Sequence, residues 1–483
     1  MTAQRLSPGR RGAIIALLTL SAALGGPLHA ETLQGALAKA YRSNPTLTGA
    51  RAGQRATDEN VPIQKAAGRP DIGASAQFQE LIVRPSNSFL APHRSANLSA
   101  SVNVPIYSGG AVRNAVKAAE TRVQAGQADL RGTEASIFSQ VVAAYMDVIR
   151  DSAIVSLNRA NVRVLEVNLQ ATNDRFEVGD VTRTDVAQSE SRLALARSDM
   201  QTAEAGLIAS RENYIALVGE APDMLEPPPA LPGLPATPDA AVQVALADNP
   251  DILASQKARD AARYDVRVAK AGVSPTLSGF SQGSYTDYMT GDIAANKQVA
   301  VGATLTVPFY QGGRPAAQVR QSQALESQAQ EREIEVERGV IAQVRAAYAS
   351  WQASLQTIES SQAAVDAASL SLEGVRAENS VGSRTILDIL NAEQEALIAR
   401  VELVSARRNA YVAGFSLLAA MGHAEADDLG LESGALYDPM VNYERVKGKW
   451  WDWDYDPAPV PAATRTVDTP AQTANVTADA ARP

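Results

Sequence analysis

Residues capable of chemistry are few and scattered in this chain of 483 residues. There is no cysteine, which removes thiol nucleophiles, disulfide frameworks and Cys-bound metals. His93 and His423 have no ligand-spaced partner and read as exposed structural histidines. Gly109-Gly110 and Gly312-Gly313 each precede a helical stretch, a place where phosphate can rest. They lack the further glycines and the lysine of a P-loop, so they read as strand-to-helix bends. No catalytic constellation, cofactor site or metal site emerges. What recurs instead is a charged turn. Val178-Gly179 and Val381-Gly382 are each followed, six residues after the glycine, by an acid: Asp185 and Asp388. Arg384 follows only the second turn, where the first has Val181. A guanidinium offers a planar fork of donors that matches a carboxylate. The chemistry available is therefore reversible ionic linkage.

The elements that carry these turns come from an internal duplication. Val104-Pro105-Ile106-Tyr107-Ser108-Gly109-Gly110 returns as Val307-Pro308-Phe309-Tyr310-Gln311-Gly312-Gly313, an offset of 203 residues. The same offset relates Tyr145 to Tyr348, Glu190 to Glu393 and Gly219 to Gly422, and Asn44-Pro45 matches Asn249-Pro250 at 205. The units span 31–220 and 238–423, with a proline-rich connector at 221–237 that suits an extended chain. An irregular acidic segment follows at 424–456. Residues 457–483, rich in Pro, Ala and Thr, read as a disordered tail. Within 424–456 the run Trp450-Trp451-Asp452-Trp453-Asp454-Tyr455 stands out, and either packing on the helices or partner binding would account for it.

Each unit reads as helix, strand, loop, strand, helix, helix. From Gly109 to about Arg175 no proline occurs and good helix formers dominate. At ~1.5 Å per residue such a helix reaches roughly 100 Å. Arg314 to Glu378 repeats it, and Thr182–Val218 and Thr385–Met421 supply a shorter partner in each unit. Helices this long signal a coiled coil or a helical tube.

The N-terminus and the charge limit the setting. Arg5, Arg10 and Arg11 precede an apolar run from Ala13 to Ala23, and Leu28-His29-Ala30 makes an acceptable cleavage site. Residues 1–30 therefore read as a secretory signal peptide. Without them 41 basic residues face 53 acidic ones, a net charge of −12, which excludes nucleic-acid binding by phosphate neutralisation. No later stretch of eighteen apolar residues exists to form a membrane helix.

Strands cross membranes by another route. Ala96 to Ile106, Val299 to Phe309 and Ile72 to Phe78 alternate apolar and polar residues, while Thr276 to Tyr285 is weaker because Phe280 falls out of phase. Segments of about ten residues with one apolar face mark outer-membrane strands. Four strands are too few for a barrel, and open edges are forbidden in lipid. Three chains of four strands give twelve strands, above a tube of twelve helical columns. The fold class is thus a mixed α and β membrane protein. A trimeric 12-stranded β-barrel continues into a long periplasmic α-helical barrel. A periplasmic coiled-coil adaptor or structural protein would have the long helices without amphipathic strands, and a secreted enzyme has no residues to support it.

These features resemble the TolC family of outer-membrane efflux and type I secretion channels. The resemblance covers residues 31–423. It rests on Asn44-Pro45, the two Val-Pro-aromatic-Gly-Gly runs, and Arg175-Phe176-Glu177-Val178-Gly179 with Thr184-Asp185-Val186. The stretch from Ser380-Val381-Gly382 through Arg384-Thr385-Ile386-Leu387-Asp388 to Leu390 is the strongest part. It implies a homotrimer in outer-membrane lipid that passes proteins or small molecules received from an inner-membrane transporter, ABC or proton-driven. It also implies a periplasmic adaptor that engages the turns at Val178, Gly179, Val381 and Gly382. Carried over, Arg384 meets Thr184 and Asp185 of a neighbouring protomer, and Asp388 faces the pore. An acid at a helix start is favourable in itself, so plain ion pairs there are the competing reading. Two positions depart from the pattern: Asn379 replaces a tyrosine, and Asn391 replaces a second aspartate.

Overall fold

A computed structural model describes residues 30–83, 92–289, 293–431 and 436–476. Nearly all of the expected signal peptide, residues 84–91 between the first two expected strands, and 477–483 of the expected tail lie outside the described residues.

The chain opens with three short helices, α1 (Leu33–Ser43), α2 (Pro45–Asp58) and α3 (Asn60–Ala66). Asn44 starts α2: its side-chain oxygen accepts from the amides of Thr46 and Leu47, and Pro45 fills the first helical position, where no amide is needed. Strands β1 (Asp71–Glu80) and β2 (Arg94–Tyr107) follow, then the long helix α4 (Ala111–Glu177) and its partner α5 (Arg183–Val218). The second unit repeats this order with α6 (Pro238–Asp248), α7 (Pro250–Lys270), β3 (Thr276–Asp287), β4 (Asn296–Thr306), α8 (Arg314–Ser380) and α9 (Ile386–Met421). A last helix, α10 (Pro439–Val446), lies in the C-terminal segment. Both α4 and α8 contain 67 residues.

The four strands make one antiparallel sheet in the order β1-β2-β3-β4, so β2 and β3 join the two units. Register explains the phase problem. Directly paired residues share a face. Ile72 pairs with Val102 and Ala76 with Leu98, which defines the apolar face; Ser75 pairs with Ser99 and Gln77 with Asn97 on the polar one. Phe280 pairs with Asn103 and Gly302, so it belongs to the polar face. Its ring lies over Gly302, where an added Cβ would come within 2.8 Å of the Phe280 Cζ. Within one chain β1 and β4 each keep an open edge.

The strand-to-helix bends turn on glycine. Gly109 and Gly110 have φ of 62° and 85°, and a Cβ on Gly109 would lie 2.4 Å from that of Ser274. Both conformational and steric limits thus demand glycine there.

A waist is built at mid-length. Phe138, Val141, Val142 and Tyr145 of α4 are fully covered by α1, α5, part of α9 and residues 424–431. Duplicated side chains fasten the waist in duplicate. The Asn44 amide donates to the Leu217 carbonyl and that of Asn249 to Ala420, both at 2.9 Å. The Tyr145 hydroxyl donates to the Glu226 carbonyl and that of Tyr348 to Ala236, so each tyrosine pins one end of the connector.

The C-terminal stretch departs from the disordered tail expected for 457–483. Residues 457–476 have no helix or strand, yet their last part is held. Arg211 donates to the carbonyls of Thr473 and Asn475, Arg159 donates to that of Ala474, and the Gln472 amide donates to Glu212. Ala474 and Val476 pack against the waist core. Composition lacks any record of these arginines, which lie about 260 to 315 residues away in sequence.

Candidate functional site

The matched turns sit where the long helices end, at the end of the molecule far from the sheet. After α4, Val178 leaves helical geometry and Gly179 takes φ of 80°. After α8, Val381 and Gly382 do the same, with φ of 81° at the glycine. Neither glycine has an atom within 4 Å of a built Cβ, so conformation alone demands glycine. Val178 is 80% exposed and Val381 79%: each turn holds up a bare apolar side chain.

Immediately beyond each turn a capping box restarts the helix. Thr182 caps α5: its hydroxyl accepts from the Asp185 amide, and Asp185 Oδ2 accepts from the Thr182 amide at 2.8 Å and hydroxyl at 2.7 Å. Thr385 and Asp388 repeat this at α9, with 2.9 and 2.7 Å. Hydrogen bonds to the ionised form push both carboxyls below the usual aspartate range; the Thr182 hydroxyl leads for Asp185 and the Thr385 amide for Asp388. All these bonds fall on Oδ2, which leaves Oδ1 for a further partner. The competing reading of an acid at a helix start therefore describes part of what Asp185 and Asp388 do.

Arg384 lies beside its own helix. Its Nε donates to Glu378 at 2.7 Å, and that carboxylate holds the guanidinium above its usual range. Asn379 donates to the Arg384 carbonyl at 2.7 Å, which fixes the backbone of this turn. Within one chain Arg384 contacts neither Thr184 nor Asp185; Thr184 stands exposed on the first turn of α5. The first tip carries its own pair, Arg175 to Asp180 at 2.7 Å. The order of charge is reversed between copies: base then acid around the first turn, acid then base around the second.

Sequence reasoning missed Glu378. It is the counterpart of Arg175 at the 203-residue offset, so laying the copies side by side exposes the reversal. It also missed Arg192, which donates to Asn391 at 2.7 Å and ties α5 to α9. Asn391 thus serves as an acceptor between columns. Below this link Leu165, Leu193 and Leu390 close a small apolar core between α4, α5 and α9. His423, distant from the tips, lies 3.1 Å from Asp248.

Comparison with known proteins decides what this frame is. The family model described as outer membrane efflux protein matches residues 36–220 and 241–423, one match per structural unit. The chain belongs to the outer membrane efflux protein family. It is 36% identical to the outer membrane efflux protein BepC of Brucella suis biovar 1 over 437 residues, which cover 90% of this chain and 94% of that one. Outer membrane protein TolC of Escherichia coli K12 is 28% identical over 444 residues, 86% and 88% of the two chains. The crystal structure of the outer membrane protein VceC from Vibrio cholerae superposes with a TM-score of 0.70 at 22% identity, over 81% of this chain and 96% of that one. This efflux channel is a conduit of the outer membrane with a large periplasmic helical barrel, and no enzyme. It forms the exit duct of a tripartite export system, which sets aside the adaptor alternative. Its open sheet edges close in the trimeric barrel of this fold.

Proposed function

We propose that the two hairpin tips form the gate of the duct and the surface that a periplasmic adaptor grips. Arg384 exchanges its Glu378 partner for Asp185 and Thr184 of the next protomer in the closed state, and Asp388 faces the pore. Val178-Gly179 and Val381-Gly382 present the bare apolar side chains to the adaptor, behind which stands an ABC or proton-driven inner-membrane transporter. Outer-membrane lipid covers the apolar face of the sheet. The observation that carries this reading is an acceptor left open opposite an exchangeable base. Capping occupies only Oδ2 of Asp185 and leaves Oδ1 for a guanidinium. Arg384, on the other kind of tip, is held by a single exposed pair to Glu378 that it can exchange. Each exposed link contributes only ~0–1 kcal/mol, which suits a gate that must open.

Conductance of trimers in planar bilayers tests it. Arg384→Ser raises conductance and the uptake of bulky antibiotics without dissolving the trimer. Arg175→Ser, whose pair closes within one tip, leaves both unchanged. Asp388→Ala weakens cation preference and block by multivalent cations, because three carboxylates leave the pore. Added salt narrows the Arg384 effect, since screening acts over ~8–10 Å at physiological strength. Unchanged conductance in the Arg384→Ser, Asp185→Ala double variant removes the gate assignment.

A further inference from the structure

Three of the four tryptophans of this chain lie within four residues, at Trp450, Trp451 and Trp453. Sequence left open whether this run packs on the helices or binds a partner. The structure places it away from the waist. From Glu425, which pairs with Arg131 at 2.7 Å, the chain climbs along α4 towards the sheet. Gln127 donates to Met440 at 3.2 Å, Tyr443 packs on Val61 and Val123, and Lys65 donates to the Lys447 carbonyl at 3.1 Å. The climb ends where Arg69 donates to the Lys449 carbonyl at 2.7 Å and stacks its guanidinium 4.5 Å from the centre of the Trp450 ring. There the chain turns back. Arg445 grips Asp456 at 2.7 Å, and the returning segment passes Gly219 at Thr464 before reaching Arg211.

The top of this hairpin is thus Trp450 to Tyr455, level with Arg69. Strand β1 begins two residues later, at Asp71, and its first apolar-face residue is Ile72. At ~3.3 Å per extended residue, Ile72 lies within roughly 10 Å of Arg69 along the chain. The four aromatic rings are 58% to 77% exposed at the edge of the barrel's apolar band. Tryptophan and tyrosine favour that level, because an apolar ring with one polar group suits the headgroup layer. Charge points the same way. Lys449 pairs with Asp454 and Asp456, Lys447 with Glu444, and Arg445 with Asp456; with Arg69 and Asp452 counted, four bases balance four acids. A neutral, aromatic surface suits zwitterionic phospholipid.

We propose that the Trp450–Tyr455 hairpin tip is a membrane-interface anchor that seats in the phospholipid headgroup layer on the periplasmic side, supplementing the barrel and setting its depth. This rests on the reading that the sheet stands in the outer membrane. Each trimer would carry three such anchors around the barrel base. Net neutrality makes seating insensitive to salt, unlike a polybasic contact.

The test uses full-length trimer with Trp351→Phe, so that emission comes from the tip alone. It is reconstituted in vesicles of phosphatidylethanolamine with phosphatidylglycerol. Co-flotation first establishes that the barrel has inserted. Bromines placed near the headgroup are then expected to quench emission roughly twofold more than bromines at the chain ends, since aromatic belts sit at headgroup level. Quenching persists in high salt. Trimers that keep only Trp451 or only Trp453 at the tip still float and still show the headgroup preference. Floating trimers whose emission no lipid bromine quenches overturn the anchor and leave the channel intact. Blue-shifted emission without such quenching overturns it in favour of packing on a neighbouring protomer. Failure to float removes the channel reading itself.

Discussion

Helices α4 and α8 are duplicates of equal length that meet opposite surroundings. Helix α4 buries 21 residues within its own chain, and α8 buries five. Phe138 is fully buried while its counterpart Ile341 is only partly so; Glu134 is half-buried and its counterpart Glu337 is exposed. The cause is local. Segment 424–431 and the tail lie over the first unit, and among the described residues nothing equivalent covers the second. One copy has become the covered side of the waist. The other keeps surface for neighbours in the trimer. Duplication thus preserved the fasteners, Asn44 with Asn249 and Tyr145 with Tyr348, and let burial diverge.

The largest test of that contrast is Phe138→Ala against Ile341→Ala. Truncating a buried phenylalanine costs ~3–5 kcal/mol through lost transfer and a cavity. The Phe138 variant is expected to lose most of its thermal stability in detergent, and the Ile341 variant far less. Equal losses would mean that the trimer buries both sites alike. A smaller effect concerns what the copies share. Asn44→Ala and Asn249→Ala each remove a helix cap worth about 1 kcal/mol and a bond to a carbonyl. Their melting points are expected to fall by similar amounts; a one-sided fall would show that only one unit depends on its cap.

A third effect is a pH dependence confined to the first unit. Burial is the main cause that pushes the Glu134 carboxyl up to about 7, aided by nearby Glu425 and opposed by the Ala426 amide. A carboxyl raised on folding favours the protonated state. Its stabilisation is therefore complete below the unfolded value near 4.5 and is lost as pH rises through about 7. Glu134→Gln is expected to flatten the melting curve between those limits, and Glu337→Gln to leave it unchanged. A dependence that survives Glu134→Gln assigns the slope to another group.

By itself the sequence determined the periodic and the repeated. Long proline-free stretches dictate helices because helix formation needs only local bonds. Alternation dictates strands, and one offset dictates two units. The capped turns were legible too, since Thr182 with Asp185 and Thr385 with Asp388 cap within three residues. Only the tertiary structure decided which distant groups meet. Phe280 lies on the polar face because register, set across β2 and β4, outweighs its own apolar character. Arg384 rests on Glu378 because the turn brings back a residue from the preceding helix. The tail is held by Arg159 and Arg211, and the aromatic run is lifted to the barrel base by α10 on α2 and α3. The tail and the aromatic run depend on packing between segments hundreds of residues apart, for which no local pattern exists.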